Sequence, residues 1–222
     1  MFQGYDQQTV DFLWGIRFNN DRSWFQDHKE QYQTHLLAPT RALGEQVYEA
    51  LHAAFPKEPF LLKLSRIYRD ARRLHGNGPY KDHLWFCVRA GGEDWTGRPT
   101  FYFEIGPDYY SYGMGFWAPK AALMEAYRKA VDEHPEVLEK LVKRFNKQAQ
   151  FTLSGPEYAR KKTAPSPLLA AWYNKKSINL QHDAAPDERM FSQELAQDII
   201  EGFRTLMPLY KYFDALCAAE MV

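Results

Sequence analysis

The stretch RIYRDARRLHGNGPYKDH, residues 66 to 83, gathers five Arg or Lys, two His and two Asp into eighteen positions of a chain whose formal charge is zero. Arg66, Arg69, Arg72 and Lys81, with His83 beside them, are residue types that hold phosphate or carboxylate oxygens. Guanidinium forks bind two oxygens at once, and an ammonium adds a point charge. The Gly76-Asn77-Gly78 loop could bring backbone N–H groups to the same anion. The competing reading is an internal ion-pair network in which Asp70, Asp82 and Glu104 neutralise the cations. Composition does not choose between the two. Neither GxxxxGK[ST] nor GxGxxG occurs, so the cations do not imply nucleotide specificity.

A second set is aromatic: Tyr102, Tyr109, Tyr110, Tyr112, Phe116 and Trp117, joined by Tyr68 and Tyr80 if the strands pair. Tyrosines beside arginines could stack a ring and hydrogen-bond its polar groups, whereas ordinary strand packing uses the same residues. Acid–base chemistry at such a place would fall to Asp70, Glu104 or His83. Seven histidines are scattered without an HxH or HExxH spacing, and Cys87 and Cys217 form no CxxC. No metal site, disulfide framework or cofactor motif is therefore expected, and the cysteine usage suggests a reducing, cytoplasmic setting. Lys161-Lys162 and Lys175-Lys176, with Arg160, read as solvated loop charge. Turned toward the arginines, they would favour single-stranded nucleic acid, a third reading that the zero net charge disfavours.

The elements that must position these residues follow from periodicity. Phe12, Leu13 and Ile16 predict a helix, and Asn19-Asn20-Asp21 offers caps for a second one carrying Trp24, Phe25, His28, Tyr32 and Leu36. Pro39 suits the first turn of a third, with Leu43, Val47 and Leu51 inward. Period-two alternation then marks strands through Leu84, Phe86 and Val88, through Phe101, Phe103 and Ile105, and across residues 109 to 117. Gly106-Pro107-Asp108 turns the last two into a hairpin. Helices are expected from Ala118, from Pro135 and from Ser192, with Pro208 kinking or splitting the last. Residues 151 to 191 are proline-interrupted, with a short helix near Leu168 and a strand near Ser177 to Leu180. No segment has a signal-peptide pattern or the run of about 20 apolar residues a membrane span requires.

Residues 64 to 75 satisfy two templates. As a helix, Leu64, Ile67, Ala71 and Leu74 face the core and the charges are solvated. As a strand, Leu62, Leu64, Arg66, Tyr68 and Asp70 share one face, and a buried arginine there requires a partner. RIYRDARRLHGNGPYKDHLWF, with NNDRSWFQDHK before it and FYFEIGPDYYSYGMGFW, KKSINL and ELAQDIIEGFRTLMPLYKYF after it, resembles the family called domain of unknown function 2461. The likeness rests on R-D-x-R and P-Y-K-x-H and departs at Arg73, Leu74 and His75. It implies a single mixed α/β domain and brings no established activity.

The expectation is an α/β fold of the α+β type, residues 1–222 forming one domain with a mainly antiparallel sheet flanked by amphipathic helices. Helices occupy about 6–55, the sheet-rich core about 60–117, and a helical half about 118–218. A strand should end near Asp70 and its partner begin near Lys81. Arg66, Tyr68, Arg69, Arg72, Tyr80, Lys81, Tyr102 and Tyr112 are the candidate ligand-binding residues. The function expected is binding of a small phosphate- or carboxylate-bearing anion, with catalysis left open; the alternative is a noncatalytic interaction domain whose charged strand is an ion-pair network.

Overall fold

Helix α1 (Gln7–Phe18) starts on Asp6, whose carboxylate accepts the Thr9 N–H while the Thr9 hydroxyl accepts the Asp6 N–H, a reciprocal cap. Asp21 caps α2 (Arg22–Asp27) in the same spirit, accepting from Ser23 and Trp24 N–H. The chain then runs through α3 (Lys29–Gln31) and a π-helical turn, Tyr32–Leu37, into α4 (Ala38–Ala54), with Pro39 in its first turn. The expected second helix is thus broken at His28 and widened at Tyr32. The computed structural model describes residues 1–70, 72, 78–92 and 95–219.

The strands are β1 (Phe60–Leu64), β2 (Leu84–Ala90), β3 (Pro99–Ile105), β4 (Tyr110–Phe116), β5 (Thr152–Ser154) and β6 (Asn179–Ala184). They form one six-stranded antiparallel sheet in the order β1-β2-β3-β4-β6-β5, and the fold class is α+β. Between the strands lie α5 (Ala121–Glu133), α6 (Pro135–Phe145) and α7 (Ala170–Tyr173). Helix α8 (Glu194–Ala219) closes the fold and carries Pro208 without dividing there. Among the described residues, no helix is long and apolar enough to cross a membrane.

Contacts cluster the chain into two compact units. The first comprises Met1–Val88, Tyr102–Tyr112 and Asp183–Glu201. Its core stacks Phe86 on Phe103 at 5.4 Å and Phe103 on Tyr5 at 6.1 Å, with Leu43, Val47 and Leu51 of α4 fully buried. The second comprises Arg89–Phe101, Gly113–His182 and Gly202–Val222. There Phe101 packs against Phe203 and Tyr210 at 4.7 and 5.0 Å, and Phe145 meets Trp172 edge-on. Each aromatic pair contributes about 0.5–1.5 kcal/mol beyond the area it buries.

Residues 64 to 70 are not helical, but the strand expected to reach Asp70 stops at Leu64, its partner begins at Leu84 and not at Lys81, and the burial pattern slips by one in between. β1 ends at Leu64, and beyond it Tyr68 bridges Tyr80, flanked by Arg69 N–H to Pro79 O (2.8 Å) and Lys81 N–H to Ile67 O (2.7 Å). The slip occurs at Ser65, whose N–H donates to Trp85 O while its Oγ, in place of a backbone carbonyl, accepts the Trp85 N–H. Ser65 and Ile67 are therefore buried, and Arg66, Tyr68 and Asp70 are exposed. The expected face joining Leu62 and Leu64 to Arg66 does not form. Residues 71 and 73–77, including Gly76 and Asn77 of the proposed N–H cradle, lie outside the described residues.

Candidate functional site

Alternation on β3 sorts the sheet into two surfaces. Phe101, Phe103 and Ile105 are fully buried, whereas Tyr102 and Glu104 are only half-buried on the opposite side. Trp85 of β2 alternates in the same way between the buried Leu84 and Phe86. Ser111 of β4 meets Tyr102 from that side, hydroxyl to hydroxyl at 3.3 Å. The result is a polar surface bearing Trp85, Tyr102, Glu104 and Ser111.

Lys81 is delivered to this surface by a clasp. Asn20, just past α1, donates its Nδ2–H to Tyr80 O and accepts the Tyr80 N–H at Oδ1, both at 2.9 Å. Gly78 permits the approach, because a Cβ there would stand 2.3 Å from Asn20 Oδ1. Tyr80 itself is buried and stacks on Phe25 at 4.2 Å. With Tyr80 so anchored, the half-buried Lys81 extends its ammonium over the Trp85 ring, 5.6 Å from the centroid.

The neighbouring charges are mostly matched. Arg17 Nε donates to Asp82 Oδ2 at 2.7 Å and its Nη1 to Asp108 Oδ1 at 3.3 Å. Arg69 Nε donates to Tyr80 O at 2.7 Å, leaving its Nη2 3.8 Å from Asp82 Oδ1, and His83 Nδ1 lies 3.2 Å from that same oxygen. Burial opposes the charge on Asp82, but the hydrogen bonds from Arg17 and His83 outweigh it and hold the carboxyl below its ordinary value. Tyr109 donates its hydroxyl to Glu104 Oε1, its ring lying across Gly106, where a Cβ would come within 2.3 Å of that ring. Burial first, and the adjacent Glu104 next, drive the Tyr109 phenol far above its usual range. Burial also pushes Tyr102 up to about 12, against the Ser111 hydrogen bond.

Two cations are left over. Among the described residues, neither Arg66 nor Lys81 has a carboxylate at ion-pair distance. Burial pushes the Lys81 ammonium below the ordinary lysine value. Attraction to Glu104 opposes this, and repulsion from Arg69 and Arg66 reinforces it.

The sequence candidates are thus brought together in part. Arg66, Arg69, Lys81, His83, Tyr102 and Glu104 belong to one neighbourhood. Arg72 is 88% exposed and pairs with Asp70 at 2.8 Å, both at the outer end of the segment. Tyr68 packs with Tyr80 and Phe25. Tyr112 is buried beside Tyr110, on the alternate side of β4 from Ser111. Lys175 is engaged by Gly155 O and Glu157. Arg17, Asn20 and Trp85 were not among the candidates, and Tyr109 entered only as a member of the aromatic set; Trp85, four residues past Lys81 in a period-two run, was the one the sequence could have supplied. Among the described residues, no group of three or more His, Cys, Asp or Glu is placed to hold a metal. A separate cleft of ≈ 190 Å³ lies against α4, lined by Thr40, Arg41, Gly44, Glu45, Leu62, Leu64 and Phe86. Phe86 belongs to the buried side of β2, so this cleft is not part of the polar surface.

An α+β chain with an antiparallel sheet and a basic, aromatic polar face is the class these features define. The chain belongs to the conserved hypothetical protein family DUF2461, whose sequence model matches residues 8–212 and so takes in every residue of the site. No curated protein matches it.

Proposed function

We propose that the polar sheet face binds a small anion, a phosphate or carboxylate, between Lys81 and Arg66, with Trp85 beneath and Tyr102 alongside. The observation that supports this most is Lys81: a half-buried ammonium with no carboxylate partner among the described residues, held over Trp85 and repelled by further cations. Burying an unmatched charge is costly, and an anion arriving between the two cations would relieve the cost with charge-assisted hydrogen bonds. Arg17 and Arg69 are already engaged and serve to place Asp82 and the backbone at Tyr80.

The second reading, a structural ion-pair network, draws on Arg17–Asp82–Asp108 and Arg72–Asp70. The two separate in a thermal-shift titration with inorganic phosphate and acetate on wild type and on the double variant Arg66→Ala/Lys81→Ala. A ligand bound only by the folded state adds about 2.7 kcal/mol at a hundredfold excess over Kd, worth about 5 °C or more at this size. A wild-type shift lost in the variant supports anion binding. A wild type that does not shift leaves the structural network as the function of these charges.

A further inference from the structure

Lys81 and Glu104 carry opposite charges on the same surface and feel one another electrostatically, yet form no ion pair. Glu104 uses Oε1 to accept from Tyr109, and among the described residues its Oε2 has no partner. Lys81 donates to no described acceptor and lies over Trp85 instead. A flexible lysine free to reach a half-buried carboxylate would ordinarily close on it. Here the Asn20 clasp holds the backbone at Tyr80 and the ammonium of the next residue rests over the Trp85 ring, while Tyr109 holds Glu104 by Oε1. The separation is built from buried or half-buried partners at both ends.

We infer that this separated Lys81/Glu104 pair reads a zwitterion: a small ligand whose phosphate or carboxylate lies at Lys81 and Arg66, and whose ammonium, a few bonds away, lies at Glu104 Oε2. The inference rests on the anion-binding reading above and specifies its ligand class. Lys81 and Arg66 supply the affinity for the anion. Glu104 supplies the discrimination, since a ligand lacking the ammonium leaves a carboxylate oxygen half-buried and unpaired. Trp85 contributes a flat floor that suits the short methylene linker between the ligand's two charges. Glu104 also disfavours an anion with a second negative group in place of the ammonium.

Calorimetric titrations with matched pairs test this on the full chain: 2-aminoethyl phosphate against propyl phosphate, and 4-aminobutyrate against pentanoate. Within each pair only the ammonium differs from a methyl group. Wild type should prefer the aminated partner by about tenfold in at least one pair, the worth of one charge-assisted hydrogen bond. In Glu104→Gln, which keeps an acceptor for Tyr109, the preference should vanish while propyl phosphate or pentanoate binds at least as well as before. Equal affinity within both pairs in wild type overturns the zwitterion inference and leaves anion binding standing. Absence of binding by all four compounds overturns both. A preference that persists in Glu104→Gln places the ammonium elsewhere and removes Glu104 from the proposal. Unchanged thermal unfolding of Glu104→Gln, measured alongside, shows that the variant reports on the ligand and not on the fold.

Discussion

Arg98 and Lys81 are both partly buried cations, and the chain treats them differently. Arg98, entering β3, donates from Nε to Asp214 of α8 at 3.0 Å and again from Nη2, and the two side chains are equally exposed at 22%. Where the guanidinium loses water it meets a carboxylate, both N–H groups converging on Asp214 Oδ1. Lys81 loses water over Trp85 and, among the described residues, meets no carboxylate. The first arrangement is what a fold requires of a buried charge. The second adds cost to the folded state, and a cost held in place by a clasp such as Asn20–Tyr80 calls for a use beyond folding.

The sharpest way to break this contrast is to make Arg98 resemble Lys81. Asp214→Ala strands the guanidinium and should lower stability by about 2–3 kcal/mol, toward the low end for breaking a buried pair because both groups retain some exposure. Urea unfolding measures it, and a loss below about 0.5 kcal/mol would mean that Arg98–Asp214 is no better closed than a surface pair. Arg17→Met comes next. It removes two charge-assisted bonds and should cost about 1–2 kcal/mol at pH 7. Asp82 has a folded-state pKa depressed below the unfolded value of 3.8, so its contribution is present above that value and is lost as pH falls through the lower folded one. The difference between wild type and Arg17→Met should accordingly shrink below about pH 4.

Lys81→Met should act with the opposite sign. The folded state depresses the Lys81 pKa below 10.5, so it disfavours the charged amine wherever that amine is protonated. At pH 7 the variant should be more stable than wild type, by about 0.5–1 kcal/mol once the remaining exposure is allowed for. Wild type should recover that deficit as pH rises from the lowered folded value through 10.5, above which the lysine is neutral in both states. Phosphate binding should be lost at the same time. A Lys81→Met variant less stable than wild type at pH 7 would show that the ammonium is already satisfied, and would remove the main support for the anion site.

Much of the frame behind these two sites was legible because it is periodic. Phe101, Phe103 and Ile105 against Tyr102 and Glu104 already sort the faces of β3, and Asp21 and Pro39 punctuate the N-terminal helices. What escaped is what periodicity does not encode. β5 is three residues long, too short to show a period, and the pairing of Thr152 with Gln181 depends on its partner β6. The slip at Ser65 depends on a hydroxyl taking the place of a carbonyl in the ladder, a substitution that leaves the residue types unchanged. Arg17 sits 65 residues from Asp82, and only the finished fold reveals it as the ion partner of that carboxylate. The sequence therefore located the cations, and tertiary pairing decided which of them are spare.

That sorting leads to the smallest expected effect. Arg66 and Arg72 are equivalent by composition, both exposed arginines in one short basic stretch, and both were candidate ligand contacts. Arg72 donates to Asp70 from Nε and Nη2, to separate carboxylate oxygens, so its charge is matched at the surface. Arg66 has no carboxylate partner among the described residues and lies close enough to Lys81 to help depress its pKa. Neither side chain is deeply buried, so Arg66→Ala and Arg72→Ala should each leave thermal unfolding nearly unchanged, as exposed pairs contribute little. Their effects on phosphate affinity should differ. Arg66→Ala should weaken binding about tenfold, the contribution of one charge-assisted contact, and Arg72→Ala less than about twofold. Equal losses would extend the site outward past Asp70 and place its centre in the basic loop. Loss with Arg66→Ala alone would confine it to the sheet face, where the unpaired cation, and not the local density of arginine, determines binding.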